Sequence, residues 1–233
     1  VMIPTYSRRA VLNGLAATMA ASLAPARHAF AQLDDRAFFF LDDTQARLLA
    51  SMCDTLIPKD EFPSASEAGV VDFIDLQLAG PYGQGEGLYL EGPFPEGSES
   101  QGYQLPFTPA ELMRRGLNAF GEAEPGFADG EESTREDMLT RLSEDDVDLG
   151  DVPAKAFFDE LWQLTNQGYF ADPIYGGNSD YAGWRMVGFP GAHAYFPSFV
   201  ANDAGPYPQP PMGINHDPGG DGGLPRVTKR QEG

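Results

Sequence analysis

The first 31 residues constrain this chain most, because they read as an address and not as part of the fold. Ser7-Arg8-Arg9-Ala10-Val11-Leu12 sets two adjacent arginines before a mildly apolar run, Val11 to Ala24. Ala29-Phe30-Ala31 follows, a small-x-small cleavage site with Ala29 and Ala31 as its small residues. Basic, apolar and small-residue regions in that order form a bacterial export signal, and Arg8, Arg9 and Leu12 point to the twin-arginine route. The run has 14 residues, short of the ~20 that cross a hydrocarbon core. Arg27 lies beyond the run, where a basic residue disfavours the general secretion route. The twin-arginine translocase carries proteins already folded, so the fold has to be sought in what remains.

Residues 32–233 leave one domain's worth of chain, with no internal repeat to suggest two. The signal region holds Arg8, Arg9 and Arg27 and no acid, so the remainder carries 12 basic (15 − 3) against 35 acidic side chains, a formal charge of −23. That balance repels phosphate backbones and anionic lipid, which excludes nucleic acid and a bare membrane surface as partners. Solubility in an exposed compartment and an acidic docking face for a basic partner both remain open. No later apolar run approaches membrane length, so no direct membrane span is expected. Cys53 is the single cysteine and cannot form an internal disulfide. It falls on the apolar stripe of a predicted helix, the place of a buried structural thiol.

The predicted fold is mainly α: a single helical domain over 32–201 with long Gly/Pro-rich loops and little β. Asp42 or Asp43 caps a helix whose apolar face is Ala46, Leu49, Met52, Cys53, Leu56 and Ile57, ended by Pro58. Ser66 is expected to start a second helix, stopped at Gly80-Pro81. Residues 81–107 carry six glycines and three prolines beyond Pro81, an ordered loop with a short strand near Leu88-Tyr89-Leu90. Thr108-Pro109-Ala110-Glu111 is a helix start with a capping box and proline at the first turn. A weaker acidic helix is predicted over Ser133–Leu142. Asp151-Val152-Pro153 opens a further helix, with Ala156, Phe157, Leu161 and Leu164 on one face and Phe158 and Trp162 beside it. After Gly168 helical period is lost, and 202–233 reads as an extended or disordered Pro/Gly-rich tail.

Equipment for chemistry is absent from the pattern. Gly83-x-Gly85-x-Gly87 lacks the spacing and the following helix of a dinucleotide loop. No Cys-x-x-Cys-His attaches haem, and one cysteine holds no iron–sulfur cluster. His193 and His216, the two histidines after the signal, lie in separate loops and make a poor basis for zinc. Asp145-Asp146 and Glu131-Glu132 have the look of a solvated acidic face, and no Gly-x-Ser-x-Gly elbow is present. The expectation is therefore no catalytic residue, no bound cofactor and no metal in this chain.

One dense segment remains: Gly168 to Asn178, then Gly183-Trp184-Arg185 and Gly188-Phe189-Pro190-Gly191. Glycines that permit close backbone approach alternate with large rigid aromatics. Such a segment is either a packed coil layer over the helices or the core of an interface. Asp172, Tyr175, Gly176, Gly177, Asn178 and Trp184 are its candidate partner-contact residues, with the 81–107 loop beside them.

Phe170-Ala171-Asp172-Pro173-Ile174-Tyr175-Gly176-Gly177-Asn178, followed by Gly183-Trp184 and Gly188-Phe189-Pro190-Gly191, resembles the signature of the gluconate 2-dehydrogenase subunit 3 family. Asp54-Thr55-Leu56-Ile57-Pro58-Lys59-Asp60, with Glu67-Ala68-Gly69-Val70 and Phe73-Ile74-Asp75, is similar to that family's first helix pair. The resemblance covers about residues 38–200. It implies a non-catalytic accessory subunit of a periplasmic dehydrogenase complex held at the inner membrane. A large subunit would carry FAD and oxidise gluconate or a related sugar or polyol, and a multihaem cytochrome c subunit would carry haem c. This chain would assist maturation of the flavoprotein and supply its export signal. The alternative is a free periplasmic binding or assembly protein without a permanent complex.

Overall fold

The computed structural model describes residues 37–95, 97–98, 104–193, 207 and 209–215. The export residues Arg8, Arg9 and Leu12, the cleavage residues Ala29 and Ala31, His216 and most of the 202–233 tail lie outside the described residues. Among the described residues there are six helices: α1 (Asp43–Leu56), α2 (Val70–Ala79), α3 (Pro109–Ala123), α4 (Glu132–Ser143), α5 (Ala154–Phe170) and α6 (Ala182–Val187). Among the described residues there is no strand, and the one β feature is an isolated parallel bridge between Gly191 and Met212. The fold is mainly α, as the pattern predicts. No helix among the described residues is long and apolar enough to cross a membrane.

Local chemistry starts most of these helices where the sequence marks them. Asp42 accepts from the Gln45 amide at 2.8 Å while the Gln45 side chain accepts from the Asp42 amide at 3.2 Å. Thr108 and Glu111 make the same reciprocal pair at 3.1 and 2.9 Å, with Pro109 opening α3. Each box satisfies amides that the first turn leaves without helical partners.

α2 departs from expectation. It starts at Val70 and not at Ser66, with Gly69 in a left-handed conformation (φ 83°) before it. The reason is Asp54: the Ser66 amide and hydroxyl both donate to its carboxylate at 2.7 Å. Held to Asp54 by both its amide and its hydroxyl, Ser66 sits inside a turn and not at the head of a helix. A turn over 65–69 results, and the Ala65 carbonyl accepts the Val70 amide at 3.0 Å.

The Leu88–Leu90 strand is also absent. Gly85 and Gly87 take positive φ (77° and 85°) and turn the chain just before it, and Tyr89 is left 78% exposed. The acidic helix runs slightly longer than predicted, as α4, and buries Leu139 and Leu142.

α1 and α5 lie at the centre. α1 packs on α2, α3, α4 and α5, and α5 also packs on α2, α3, α4 and α6. Leu49, Met52, Phe157, Leu161 and Leu164 are fully buried between them, with Phe120 and Phe127 edge to face at 5.1 Å. Gly116 lets α3 lie against the Phe157 ring, since a Cβ there would stand 2.2 Å from Phe157 Cδ2. Several polar groups that enter the core are paired. Cys53 Sγ lies 3.3 Å from Thr165 Oγ1, and Tyr82 donates a short hydrogen bond to Glu160. Asp75, 2% exposed on α2, accepts the amides of Phe39, Phe40 and Leu41 at 2.8, 2.8 and 2.9 Å. The chain leading into α1 is thus tied to α2.

Candidate partner interface

The segment after α5 is held by close backbone approaches and by hydrogen bonds of four buried side chains. α5 ends at Phe170 and the chain doubles back through one-turn 3-10 helices at Pro173–Tyr175 and Ser179–Tyr181 into α6. The doubling-back is tight. A Cβ on Gly177 would lie 2.1 Å from the Gly168 carbonyl oxygen, and one on Gly183 2.1 Å from that of Tyr169. Only glycine fits at either position.

Asn178, fully buried at φ 50°, donates to the Ala171 carbonyl at 2.7 Å and accepts the Gly183 amide at 2.8 Å. Its one amide group ties the end of α5 to the start of α6. Asp172 caps the Pro173–Tyr175 turn through the Ile174 amide at 3.0 Å, and its second oxygen takes the Ile214 amide at 2.8 Å. The Trp184 indole N–H donates to the Phe170 carbonyl at 2.7 Å, while its ring stacks on Tyr181 at 5.2 Å and meets Phe189 edge-on at 5.0 Å. The Tyr181 hydroxyl accepts the Gly213 amide at 2.6 Å. Residues 209–215 therefore lie along this segment, a contact that the sequence reading does not foresee.

The six candidate residues fall into one cluster with different roles. Asp172, Asn178 and Trp184 are buried (9%, 0% and 6% exposed) and take their partners inside the chain. Gly176, at φ 100°, and Gly177 shape the backbone. Tyr175 is half-exposed, at 50%. Between α2, α5 and the Pro173–Tyr175 turn lies a shallow cleft of about 430 Å³ lined by Phe73, Gln77, Gln167, Phe170, Ala171 and Tyr175. Phe170 belongs to the candidate segment 168–191, while Phe73, Gln77 and Gln167 are not among the sequence candidates. For Gln167 the signal is the uncharged outer side of α5; Phe73 and Gln77 lie on α2 and reach the cleft only through helix packing.

The buried titratable groups are set for structure. Burial pushes the Cys53 thiol up to about 12, well away from the reactive thiolate. Burial also raises the Asp54 carboxyl against the opposing hydrogen bonds from Ser66 and Ser64, and raises Glu160 against the bond from Tyr82. Burial, with Asp60 and Glu67 nearby, pushes the Tyr169 hydroxyl up to about 12, and that hydroxyl donates to the Pro63 carbonyl at 2.7 Å. His193 is engaged with the Pro210 carbonyl at 3.0 Å. Among the described residues no three His, Cys, Asp or Glu side chains converge as a metal-ligand set. What the arrangement does is position a surface.

No curated protein and no solved structure matches the chain. The sequence model of gluconate 2-dehydrogenase subunit 3 matches residues 43–191, well over half of the length. That span runs from the first residue of α1 to the Gly191 bridge and takes in both the Asp54 turn and the 168–191 cluster. The chain belongs to the gluconate 2-dehydrogenase subunit 3 family.

Proposed function

We propose that this chain is the non-catalytic small subunit of a periplasmic gluconate 2-dehydrogenase-type complex, and that it assists maturation and twin-arginine export of the FAD-bearing subunit. The observation that carries the reading is the Ser7-Arg8-Arg9-Ala10-Val11-Leu12 pattern in front of a body that belongs to the subunit 3 family. Folded export serves proteins that must acquire a cofactor or a partner before crossing. The buried Asp54, Asp75, Asp172 and Glu160 of this chain support an accessory role, since each is engaged by the chain's own donors. FAD and haem c then belong to the larger flavoprotein and to a cytochrome c subunit that holds the assembly at the inner membrane. Gluconate is the first substrate to test, with other aldonates and polyols after it.

Arg8→Lys with Arg9→Lys tests the reading. The expected result is that the flavoprotein's activity stays in the cytoplasmic fraction while its total amount is little changed. Unaltered periplasmic activity in that variant would remove the export role.

A further inference from the structure

Net negative charge is high on this chain, and charged side chains are nearly missing from one face. The formal charge is −20 over 233 residues, yet Leu161 to Ala192 contain only Asp172, Asp180 and Arg185 as charged side chains. Asp172 is buried with both oxygens engaged. Asp180 and Arg185 hold each other through two contacts, at 2.5 and 2.8 Å. The outer side of α5 presents Trp162 (47% exposed), Gln163, Asn166, Gln167 and Phe170 (36% exposed), and the cleft beside it has no charged lining residue. Depletion of charge with exposed aromatics at the centre is the composition of an interface core and not of ordinary acidic surface.

The face is also preorganised. Trp184 holds the Phe170 carbonyl, and the Asp172 cap with the Gly176 turn fixes Tyr175. Rigid aromatics lose little freedom on binding, so such a surface binds at lower entropic cost.

The geometry points to this face, the outer side of α5 with the Phe170–Tyr175 cleft, as the docking surface for the flavin-bearing subunit. The inference rests on the proposed accessory role and adds the surface. Charge selects the occupant. A second copy would bring another −20 chain against this one, and an anionic lipid surface is repelled in the same way. A larger subunit that offers an uncharged apolar patch, with a neutral or basic rim, meets no such penalty.

The test uses affinity-tagged chain expressed in its own host, with flavin absorbance per chain read in the purified complex. Tyr175→Asp and Gln167→Lys place opposite charges on the face, and each should lower the recovered flavin about tenfold or more, because a buried unpaired charge is costly whatever its sign. Glu136→Lys, on the exposed side of α4, should leave recovery unchanged. Gln163→Lys stands in for either variant that fails to melt cooperatively. Flavin recovery within twofold of wild type in both variants overturns this surface and leaves the accessory role intact. Wild-type chain that brings no flavoprotein overturns both readings. A wild-type homodimer that the variants convert to monomer assigns the face to a second copy and overturns the proposal.

Discussion

Replacing Asp75 by Asn should loosen the start of the folded body in a measurable way. The native carboxylate is 2% exposed and accepts three consecutive amides, Phe40 and Leu41 on Oδ1 and Phe39 on Oδ2. Asparagine keeps one acceptor oxygen in place of two and turns an NH2 group toward one of the donors. Hydrogen bonds to a charged group contribute about 1.5–3 kcal/mol each, so three removed together set an upper bound well above what is expected. Phe39 is 67% exposed, and its freed amide can turn to water. The Asn variant should therefore lose about 2 kcal/mol, and Asp75→Ala about 3–4 kcal/mol. For a domain of this size that is roughly 4–8 °C in melting temperature for Asn.

The readout that separates this from general weakening is hydrogen exchange. The amides of Phe39, Phe40 and Leu41 should lose protection ahead of those in α5, because only the lead-in segment is released. Arg114 stays over the Phe40 ring at 4.0 Å and donates to its carbonyl at 3.1 Å, so the segment should fray without detaching. A shift under about 1 °C together with unchanged exchange at these three amides would refute the assignment of Asp75 as the tie.

Two further outcomes follow from the packing and the buried acids. Gly177→Ala puts a methyl 2.1 Å from the Gly168 carbonyl oxygen and should cost about 3 kcal/mol by overpacking. Gly126→Ala, where nothing lies within 4 Å of the added carbon, should stay within about 0.5 kcal/mol, and thermal melts that fail to separate the two would refute the close approach. Glu160 has its carboxyl raised by burial, so the folded state binds its proton more readily than the unfolded chain. Its stabilisation is full below the ordinary carboxylate range and fades as pH rises through the raised folded value. Glu160→Gln should therefore flatten the fall in melting temperature above the ordinary carboxylate range, and an unchanged pH profile would count against the buried position.

Helix starts were legible because their chemistry is local. Asp42 with Gln45 and Thr108 with Glu111 are three residues apart, and Pro109 announces its own first turn. The start of α2 was not legible, because the residue that displaced it, Asp54, lies 12 positions upstream and acts through space. α6 was missed for another reason: six residues are too few to show a helical period. The 35 acids of the chain look alike in sequence. Nothing local separates Asp54, Asp75 and Asp172, which organise turns from inside, from Asp145 or Glu132 on the surface.

The candidate site shows the same limit more sharply. Gly176-Gly177-Asn178 and Trp184 stood out as a pattern, yet a pattern does not say which way a side chain faces. Trp184 faces in because its indole N–H finds the Phe170 carbonyl, while Tyr175 remains half-exposed one residue beyond the Pro173–Ile174 step that Asp172 caps. On α5 the ambiguity concerns a whole helix face. Ala154, Phe157, Leu161, Leu164 and Gly168 recur by three and four and fix the buried side, and Trp162, one residue past Leu161, is rotated about 100° away from it. Burial of that stripe leaves Trp162, Gln163, Asn166, Gln167 and Phe170 outward as a consequence, with no charge among them. In a chain with so many acids, the helix that packs against five others is also the one whose outer side carries no charge past Glu160. Core packing accounts for one side of α5, and solubility would have favoured acids on the other. Their absence there is the strongest physical reason to test that side for a partner.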